Sequence, residues 1–563
     1  MEIYKTQFEL QISFDYKPNI VADVKSIPGA RWRPDKKLWT VPLDQEPSVM
    51  YLAKKYCKSA VVDSTEPVLD IPPMPELQEE DKVFLEQTLT RAPFHFQGQG
   101  VAYNLIHKHA IIGDDPGLGK TTQAISTVVA AKCKCILVIC PSTLKSNWQR
   151  EFITVAGMKS VVMTDSIKNT WMQYHKLGLV HVFITNYESL KKYFVQSIDR
   201  PIDPKTNKEV PLQLKHITFK ECINTFDAVI IDESHKVKEG ATLASKLCMG
   251  ICRAKEYVLL LTGTPIVNKP KDLIAQLHIL ERLGQFGGWK YFMNRYCGGD
   301  GKGATNLNEL QYKLRTTCFY KRNKKEVLKE LPDKIRQIIL CEITTQKEYD
   351  VAMADLGTYL QQYRDKTDAE IEKSLRGEVM VRIQACQNIS ARGKLNEVYE
   401  KIDEVLEAGE KYVIFVHQKE IAVRILERYP HAVKVTGSCS QEERQQAIDS
   451  FQNDRRVQLI ICSIKAAGVG ITLTAASRMG FIEQPWHAAL CDQCEDRIHR
   501  IGQDDKCQYD YFLGKDTIDE RVYEVIEEKR KISNAATGTV DSATIAIIDK
   551  ISNSLFNKQT LAA

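Results

Sequence analysis

The sequence contains no long run of apolar residues. The longest runs, such as those around residues 228–231 and 258–261, are far shorter than the roughly 20 residues that a membrane-spanning helix requires. The first residues, MEIYKTQFELQISFDY, alternate in polarity and include acids, whereas a secretory signal begins with basic residues followed by an apolar core. We therefore expect neither membrane insertion nor a targeting signal.

The chain also lacks the cysteine spacing of disulfide-rich and zinc-binding domains. Its 16 cysteines are scattered, several of them in apolar strand-like runs such as CILVIC, which is typical of reduced thiols in a cytosol-like compartment. Cys491 and Cys494 have the spacing of a zinc ligand pair, but no second such pair accompanies them. The net charge is only +5, so a nucleic-acid partner has to be inferred from local motifs.

What the sequence does have is the length and composition of a multidomain globular protein. Its 563 residues are 43% apolar and 26% charged, and a chain of this length divides into about three or four domains. Strand candidates alternate with helical patterns from about residue 80 and again from about residue 390, which indicates two parallel-sheet α/β lobes. A stretch rich in prolines and acids, STEPVLDIPPMPELQEED, indicates an extended linker before the first lobe.

These patterns predict six segments along the chain. We expect a small α+β domain at residues 1–58, a linker at 59–80, a first lobe with a helical insertion at 81–345, a helical excursion at 346–389, a second lobe at 390–535 and a tail at 536–563. The predicted fold class is thus α/β, with two parallel-sheet lobes preceded by a small α+β domain.

The segment DDPGLGKTT, residues 114–122, has the composition of a phosphate-binding loop. It follows the strand candidate AIIG and precedes a helical pattern, which is the context that such a loop requires. Gly117 and Gly119 let backbone N–H groups curl around phosphate oxygens, Lys120 supplies a positive charge, and the hydroxyl of Thr121 can hold Mg²⁺. Because Asp114 stands where the strict GxxxxGK pattern has its first glycine, the loop needs corroboration.

A pair of acids supplies that corroboration. In FDAVIIDESH, an apolar strand ends in Asp232 and Glu233, at the end of a parallel strand where such sheets bind ligands. Asp232 would hold Mg²⁺, and Glu233 would orient and deprotonate the attacking water. An exposed acidic turn is the common alternative for such a pair in isolation, and the phosphate loop weighs against it.

A third element, QCEDRIHRIGQ, lies in the second lobe. Gln493, Arg497 and Arg500 fall at i, i+4 and i+7, which predicts that they share one face of a helix. Arginine has the planar fork that grips phosphate, although a solvated charged face is the alternative for three such residues alone. Because the phosphate loop lies in the first lobe, we expect ATP to complete its site only when the lobes close, as a motor requires.

In this order, the motifs resemble those of the Swi/Snf-type ATPases of helicase superfamily 2, over about residues 90–530. PFHFQGQGV resembles the adenine-reading Gln motif, and DDPGLGKT resembles motif I, with Pro116 as a departure from the commoner form. PSTLKSNWQREF resembles motif Ia, ITNYESL motif Ib, DESH motif II and LTGTPIVN motif III. In the second lobe, IFVH resembles motif IV, SIKAAGVGITLTAAS motif V and residues 493–503 motif VI. The resemblance implies two RecA-like lobes that hydrolyse ATP with Mg²⁺ and move along duplex DNA.

The resemblance also implies a role for each matching residue. Those implied in ATP hydrolysis are Lys120, Asp232, Glu233, Arg497 and Arg500. Those implied in binding ATP are Gln97, Gly117, Gly119, Lys120, Thr121, Thr122 and Gln493, with Thr121 and Asp232 on the metal ion. Those implied in coupling are His235, Thr262, Gly263 and Thr264. Those implied in holding the DNA backbone are Thr143, Lys145, His417, Ser463, Lys465 and Gly468. Backbone contacts carry no sequence information, so they suit a protein that slides.

Residues 14–43 resemble the HARP domain of annealing helicases, the branch that rewinds and remodels stalled replication forks. Arg31, Trp32 and Trp39 belong to a cluster of basic and aromatic residues that could stack on bases and hold phosphates. For each tryptophan, a place in the core of the small domain is an equal alternative. Residues 313–334, KLRTTCFYKRNKKEVLKELPDK, are strongly basic and either hold duplex phosphate or form a solvated face.

The leading hypothesis is a monomeric, DNA-stimulated ATPase that translocates on double-stranded or forked DNA and anneals strands or remodels forks. One alternative is a strand-separating DNA or RNA helicase. Another is a nucleotide-gated DNA-binding regulator, against which the intact Lys120, Asp232, Glu233 and Arg500 argue. Since the histone-reading modules of a chromatin remodeller are not found, we expect a minimal bacterial or phage version in the cytoplasm, or in the nucleus if the host is eukaryotic.

Overall fold

A computed structural model gives the arrangement of the chain. It describes residues 2–5, 9–14, 16–33, 38–56, 62–63, 72–205, 207–263, 270–299, 301, 303–364, 373–464, 470–486 and 488–533. Two compact units emerge, the first formed by residues 1–115 and 119–323 and the second by 116–118 and 324–563. None of the described helices is long and apolar enough to cross a membrane, and the cysteines within the described ranges are free thiols.

The first unit begins with a small α+β region. Its elements are β1 (Glu2–Lys5), β2 (Glu9–Ser13), α1 (Pro18–Ser26), β3 (Arg31–Arg33), β4 (Leu38–Pro42), α2 (Glu46–Tyr56) and β5 (Val62–Asp63). The sheet order is β3-β4-β2-β1-β5, antiparallel except for the β1–β5 pair. Alternating side chains of β2 and β4 meet α1 and α2 in a core that includes Leu10, Ile12, Val24, Val41 and Val49. The α+β region expected at the start of the chain is therefore present.

A buried ion pair joins this small region to the rest of the first unit. Arg295 is almost fully buried and donates to the carboxylates of Glu9 and Glu309, with 2.5 Å between Nη2 and Glu309 Oε2. Arg33 also lies over the ring of Tyr291, 5.8 Å from its centre. A buried arginine needs such partners because burial without them is costly. The small region is thus packed against residues of the first lobe's helical insertion.

A parallel sheet forms the centre of the first unit. Its strands are β6 (His109–Ile112), β7 (Ile136–Cys140), β8 (Ser160–Val162), β9 (Val182–Asn186), β14 (Ala228–Asp232), β15 (Tyr257–Leu261) and β16 (Phe319–Tyr320). The order is β16-β6-β15-β14-β7-β9-β8, and all neighbours are parallel. The central strands are buried along their whole length, as in sheets covered by helices on both faces.

The remaining elements of the first unit surround this sheet. The helices are α3 (Glu79–Thr88), α4 (His95–His107), α5 (Lys120–Ala130), α6 (Lys145–Ala156), α7 (Trp171–Lys176), α8 (Leu190–Phe194), α9 (Leu243–Cys252), α10 (Leu273–Ile279), α11 (Gly288–Tyr296) and α12 (Leu307–Thr317). Two small antiparallel pairs are β10 (Val195–Ile198) with β13 (Ile217–Phe219), and β11 (Ile202–Asp203) with β12 (Lys208–Glu209).

The second unit contains another parallel sheet. Its strands are β17 (Lys334–Cys341), β18 (Tyr412–Val416), β19 (Val433–Val435), β20 (Leu459–Ser463), β21 (Arg478–Phe481) and β22 (Cys507–Gly514), in the order β17-β22-β21-β18-β20-β19. Its helices are α13 (Lys324–Val327), α14 (Gln346–Arg364), α15 (Lys373–Gly393), α16 (Leu395–Glu407), α17 (Lys419–Arg428), α18 (Gln441–Asn453), α19 (Ala488–Glu495) and α20 (Ile518–Ser533). The predicted α/β class with two parallel sheets is confirmed.

The division between the units differs from the one expected. Residues 334–341 were assigned to the first lobe, which was predicted to end at residue 345, but β17 pairs with β22 along its whole length in the second sheet. The pattern KIRQIILC identifies a strand without identifying its partner, which is more than 150 residues away in the sequence. The helical excursion expected at 346–389 corresponds to α14 and α15, and the predicted tail lies outside the described residues.

Candidate active site

The phosphate loop follows β6 and ends where α5 begins. Gly117 and Gly119 have φ angles of +89° and +74°, a region that favours glycine. A Cβ on Gly119 would lie 2.3 Å from Nε2 of Gln97, so that position has no room for a side chain. Gly119 caps α5, and the free N–H groups of the first turn of a helix form an anion site. The loop therefore has the backbone shape that binds phosphate.

Lys120 lies at the first position of α5, and its Nζ donates to the backbone carbonyl of Asp114 over 2.7 Å. Burial lowers the pKa of Lys120, and the nearby carboxylates of Glu233 and Asp114 oppose that shift. The ammonium group is thus held at the loop among acidic side chains. This is the position from which a lysine neutralises phosphate charge.

The two predicted acids end strand β14. Asp232 accepts from Trp148 Nε1 over 2.9 Å and from the backbone N–H of Glu233 over 2.9 Å. The pKa of Asp232 is raised to about 6, mainly by burial and secondly by the negative charge of Glu233. Burial and mutual repulsion therefore make Asp232 easier to protonate than an ordinary aspartate. A bound divalent cation would favour the ionised form, which is the behaviour expected of a metal ligand.

Glu233 has an unusual backbone conformation. Its φ is +53°, in the left-handed region that non-glycine residues adopt rarely and at a cost of about 1 kcal/mol or more. Its carboxylate lies 3.2 Å from Nδ1 of His235, which is half-exposed. Strain of this kind is common where a reactive side chain has to be aimed. The structure thus brings together the predicted base and the predicted coupling residue His235.

Two further residues of the ATP set lie beside the loop. Gln97 is buried in α4, and its Oε1 accepts from the backbone N–H of Phe94 over 3.0 Å. The hydroxyl of Thr122 accepts from Arg91 Nη2 over 3.0 Å. Arg91 was not identified from the sequence, because a lone arginine in the connection between α3 and α4 carries no motif. Thr121 follows Lys120 at the start of α5.

The residues present fit ATP and Mg²⁺. Left-handed glycines, a helix start and Lys120 suit a polyphosphate, while Asp232 and the hydroxyl of Thr121 offer the hard oxygen ligands that Mg²⁺ prefers. When bound, Mg²⁺ would supply positive charge to the transferred phosphoryl group. Glu233, next to Asp232 and not needed as a ligand, would then hold and deprotonate the attacking water.

The predicted coupling segment begins beside the strand that leads into the loop. Thr262 follows β15, is buried, and donates its backbone N–H to the carbonyl of Ile112, at the end of β6, over 3.1 Å. Gly263 comes next, and Thr264 lies outside the described residues. The start of this segment is therefore attached to the strand that carries the phosphate loop.

In the second unit, the predicted helix face is wrong. Helix α19 contains Gln493 but ends at Glu495, and Arg497 and Arg500 follow in a series of turns. The carbonyl of Arg497 accepts from the backbone N–H of Leu473 over 2.9 Å, which a continuing helix would prevent. The spacing i, i+4, i+7 therefore does not place these three side chains on one helix.

Two buried acids lie where the helix ends. Glu495 is fully buried and accepts from Lys334, Arg336 and the hydroxyl of Tyr511. Although burial opposes the shift, Lys334 and Arg336 lower the pKa of Glu495 to about 2. Asp496 pairs with Lys324 over 2.6 Å and with Lys334 over 2.9 Å. These charges fix the start of the turns that carry both arginines.

Two basic residues of the stretch 313–334 are used inside the protein. Arg322 and Lys324 are buried and paired with Asp114 and Asp496, respectively. Both expected interpretations, a phosphate contact and a solvated face, are therefore wrong for these two residues. A buried carboxylate such as Asp114 needs a cation, but its partner lies 208 positions away and no local pattern identifies it.

The residues predicted to hold DNA lie near strand ends. Thr143 is exposed in the short turn after β7, Lys145 begins α6, His417 is exposed after β18, and Ser463 ends β20. Lys465 and Gly468 lie outside the described residues. The carboxyl ends of parallel strands are where such sheets bind ligands. The proposed contacts with DNA stay predictions.

The two N-terminal tryptophans differ in exposure. Trp39 is 7% exposed and belongs to the core, whereas Trp32 is 48% exposed, with 5.7 Å between the ring centres. Arg31 is half-buried on the same strand as Trp32. The core interpretation therefore applies to Trp39, and Trp32 is the ring available at the surface.

A glycine-rich phosphate loop on β6 and an acid pair on β14 define a nucleotide-hydrolysing protein of the parallel α/β class. The SNF2-related domain matches residues 44–390, more than half of the chain, and the helicase conserved C-terminal domain matches residues 394–502. The chain belongs to the SNF2-related family of superfamily 2 ATPases.

Among curated proteins, the chain is 26% identical over 563 residues to the SWI/SNF-related matrix-associated actin-dependent regulator of chromatin subfamily A-like protein 1 of Xenopus tropicalis, covering 95% of this chain and 55% of that protein. It is 28% identical over 470 residues to the DNA annealing helicase and endonuclease ZRANB3 of Homo sapiens, covering 80% and 41%. The chain thus spans about half the length of these relatives. Both are animal proteins and give no support to the expected bacterial or phage origin.

Among solved structures, the chain is similar to the Sulfolobus solfataricus SWI2/SNF2 ATPase core in complex with dsDNA. The TM-score is 0.37 at 24% sequence identity, and the match covers 79% of this chain and 92% of that one.

Proposed function

We propose that this protein is a DNA-stimulated ATPase that translocates on double-stranded DNA. The observation that carries the hydrolytic part is the grouping of Lys120 with Asp232 and Glu233 around a loop of phosphate-binding shape. Lys120 neutralises charge on the phosphates, Asp232 and Thr121 hold Mg²⁺, and Glu233 takes a proton from the attacking water. Arg500, with Arg497 as the second candidate, stabilises the charge that develops on the transferred phosphoryl group.

The proposed substrate of the motor is duplex or forked DNA, with strand annealing or fork remodelling as the outcome. This is supported by the name of a relative that is a DNA annealing helicase and by Thr143, Lys145, His417 and Ser463 at strand ends. Contacts with the sugar-phosphate backbone suit movement along DNA, because they are the same at every base pair. We propose that the protein acts as a monomer.

The same ATP site would serve a strand-separating DNA or RNA helicase. The nucleic acid that stimulates ATP turnover therefore distinguishes such a helicase from a translocase on duplex DNA. We expect blunt and forked duplex DNA to raise the ATP turnover of the full chain on the order of tenfold or more, since electrostatic contacts with both strands add to binding. Single-stranded DNA and RNA of equal nucleotide concentration are expected to stimulate far less. Turnover is measured by phosphate release with the four nucleic acids side by side. A response to RNA or single strands that equals the response to duplex would support the strand-separating helicase instead.

We also propose that the small N-terminal region recognises fork junctions through Trp32. Its ring is half-exposed between Arg31 and Arg33, a combination that can stack on an unpaired base and hold phosphates. Trp32→Ala is expected to reduce fork regression or strand annealing on the order of tenfold, since stacking on one base contributes about 1–3 kcal/mol. ATP turnover on blunt duplex should stay within about twofold of the unmodified protein, because Trp32 lies outside the ATP site.

A matched control is Tyr51→Ala. Tyr51 is 67% exposed on α2 of the same region, but no arginine flanks it. Fork remodelling by Tyr51→Ala should equal that of the unmodified chain. Equal loss in both variants, or no loss in Trp32→Ala, would contradict the proposed role of Trp32.

A further inference from the structure

Asp114, the residue that departs from the strict loop pattern, is completely buried. Its exposed fraction is 0%, and both carboxylate oxygens accept hydrogen bonds. Oδ2 accepts from Arg322 Nη2 over 2.5 Å and from Gln123 Nε2 over 3.0 Å, while Oδ1 accepts from the backbone N–H of Arg322 over 3.0 Å and from its Nε over 3.2 Å. The acid is therefore an anchor within the protein and is not available to a ligand.

Arg322 joins three segments that surround the nucleotide site. It is 5% exposed and pairs in a fork with Asp114 at the start of the phosphate loop. Its Nη1 donates to the carbonyl of Phe96, next to the adenine-reading Gln97, and its Nη2 also donates to Gln123 Oε1 on α5 over 3.0 Å. The guanidinium lies over the rings of Phe96 and Tyr320, 5.4 and 5.2 Å from their centres. A lysine has one ammonium group and cannot make this set of contacts.

Backbone pairing continues from strand β16 onto the loop itself. Gly113 donates to the carbonyl of Tyr320 over 2.9 Å, and Asp115 donates to the carbonyl of Arg322 over 3.1 Å. The first and third residues after β6 are thus aligned against the last residues of the first unit, which ends at Asn323. Because Lys120 Nζ donates to the carbonyl of Asp114, any shift of Asp114 moves the acceptor of that lysine.

The space around this network is closed on the side of α4. A Cβ on Gly100 would lie 2.1 Å from Gln123 Oε1, 2.8 Å from the hydroxyl of Tyr320 and 3.1 Å from Arg322 Nη2. The hydroxyl of Tyr320 donates to Gln123 Oε1 over 2.7 Å. By contrast, a Cβ on Gly98 in the same helix would meet no atom within 4 Å. A methyl group on Gly100 would therefore displace the side-chain groups of this network.

We propose that Arg322 and Asp114 form a positioning pair that holds the phosphate loop and the Gln97 segment in the geometry that binds ATP. This proposal rests on the proposed ATPase function, and it gives Arg322 a role that its position in a basic stretch does not indicate. The physical basis is that a buried fork of charge-assisted hydrogen bonds has one geometry, whereas removing one partner leaves the other charge buried and unpaired. Neither side chain is assigned a contact with ATP.

The test compares three variants of the full chain, Arg322→Lys, Asp114→Asn and Gly100→Ala. Lysine at position 322 keeps the positive charge but loses the planar pair of N–H donors. Asparagine at position 114 keeps the shape of aspartate but points an N–H group at the N–H donors of Arg322. Alanine at position 100 displaces the network without changing a polar group. Each is expected to raise the KM for ATP about tenfold or more, because a binding site needs its groups held within about 0.5 Å of their productive geometry. The kcat at saturating ATP and DNA should fall less than about threefold, because the groups that act on phosphate are intact.

Two matched controls separate positioning from stability. Arg295→Lys breaks another buried arginine–carboxylate pair of the first unit, at Glu9 and Glu309, and Gly98→Ala adds the same methyl group to α4 where space is open. Both should leave the KM for ATP within about twofold, although Arg295→Lys should lower the melting temperature as much as Arg322→Lys does. Thermal melting is recorded for every variant.

A second measurement makes the result independent of turnover. Binding of a fluorescent ATP analogue with Mg²⁺ should weaken in Arg322→Lys and Asp114→Asn by the same factor as the KM rises. The double variant should be no weaker than the weaker single variant, since both changes remove one interaction. Unchanged affinity in folded Arg322→Lys, or equal weakening in Arg295→Lys, would overturn the positioning role. If the unmodified chain binds the analogue but hydrolyses no ATP with any nucleic acid, the proposed function fails while the binding comparison still decides the positioning pair.

Discussion

Glu233→Gln is expected to lower ATP turnover by a factor on the order of 10² to 10⁴ while ATP binding stays nearly unchanged. Glutamine has the shape of glutamate but cannot take a proton from water. The left-handed backbone of Glu233 aims its side chain from the end of β14, so the amide should occupy the same place. Removal of the negative charge also removes repulsion from Asp232, whose raised pKa depends partly on Glu233, so the metal ligand is kept.

Turnover is measured by phosphate release with saturating duplex DNA, and binding by a fluorescent ATP analogue. Glu239→Gln, the same substitution at an exposed position six residues further along, serves as the control and should behave as the unmodified chain.

Lys120→Ala should also abolish turnover, but by weakening ATP binding, because the phosphates lose their compact charge. Wild-type turnover in Glu233→Gln or in Lys120→Ala would refute the site assignment.

Arg500→Ala is expected to reduce ATP turnover about 10³- to 10⁵-fold, the range observed for arginine fingers in related chemistry. The variant should bind ATP almost normally, because an arginine finger acts on charge that develops during phosphoryl transfer. Turnover at saturating ATP and the affinity for an ATP analogue are the two measurements. The fold of the second unit should survive, since the buried pairs that shape this segment belong to Glu495 and Asp496.

The control for Arg500 is Arg455→Ala, an exposed arginine after α18 in the same unit. It should have no effect on turnover. A fall of less than about tenfold in Arg500→Ala would remove Arg500 from the mechanism and make Arg497 the candidate. Arg497 is nearly buried, and its carbonyl is bound by Leu473, so Arg497→Ala has to be checked by thermal melting before its turnover is interpreted.

Features that depend on neighbouring residues can be predicted from the sequence. Apolar runs such as ILVIC and AVIID identify buried strands of parallel sheets, because both faces of such strands are covered. The loop glycines and the acid pair were identified because their chemistry depends on short spacing along the chain. The left-handed φ of Gly119 and the end of β14 at Asp232 agree with that prediction.

Features that depend on distant partners were decided by the tertiary structure. The spacing of Gln493, Arg497 and Arg500 suggested one helix, but the helix ends at Glu495, where Glu495 and Asp496 are paired with distant lysines. Trp32 is exposed and Trp39 is buried, although both tryptophans lie in the same basic and aromatic sequence.

Arg322 illustrates the physical reason most directly. Within its basic segment it resembles any exposed arginine, and Asp114 looks like a defect in the phosphate loop. Burial makes each of them require the other, because a charge removed from water needs an opposite charge and hydrogen bonds. Periodicity and motif spacing report interactions over a few residues, and so they indicated the sheets, the glycine-rich loop and the acid pair. The partner of a buried charge is chosen by the packing of segments far apart in the chain, and so only the folded structure determined what holds the loop in place.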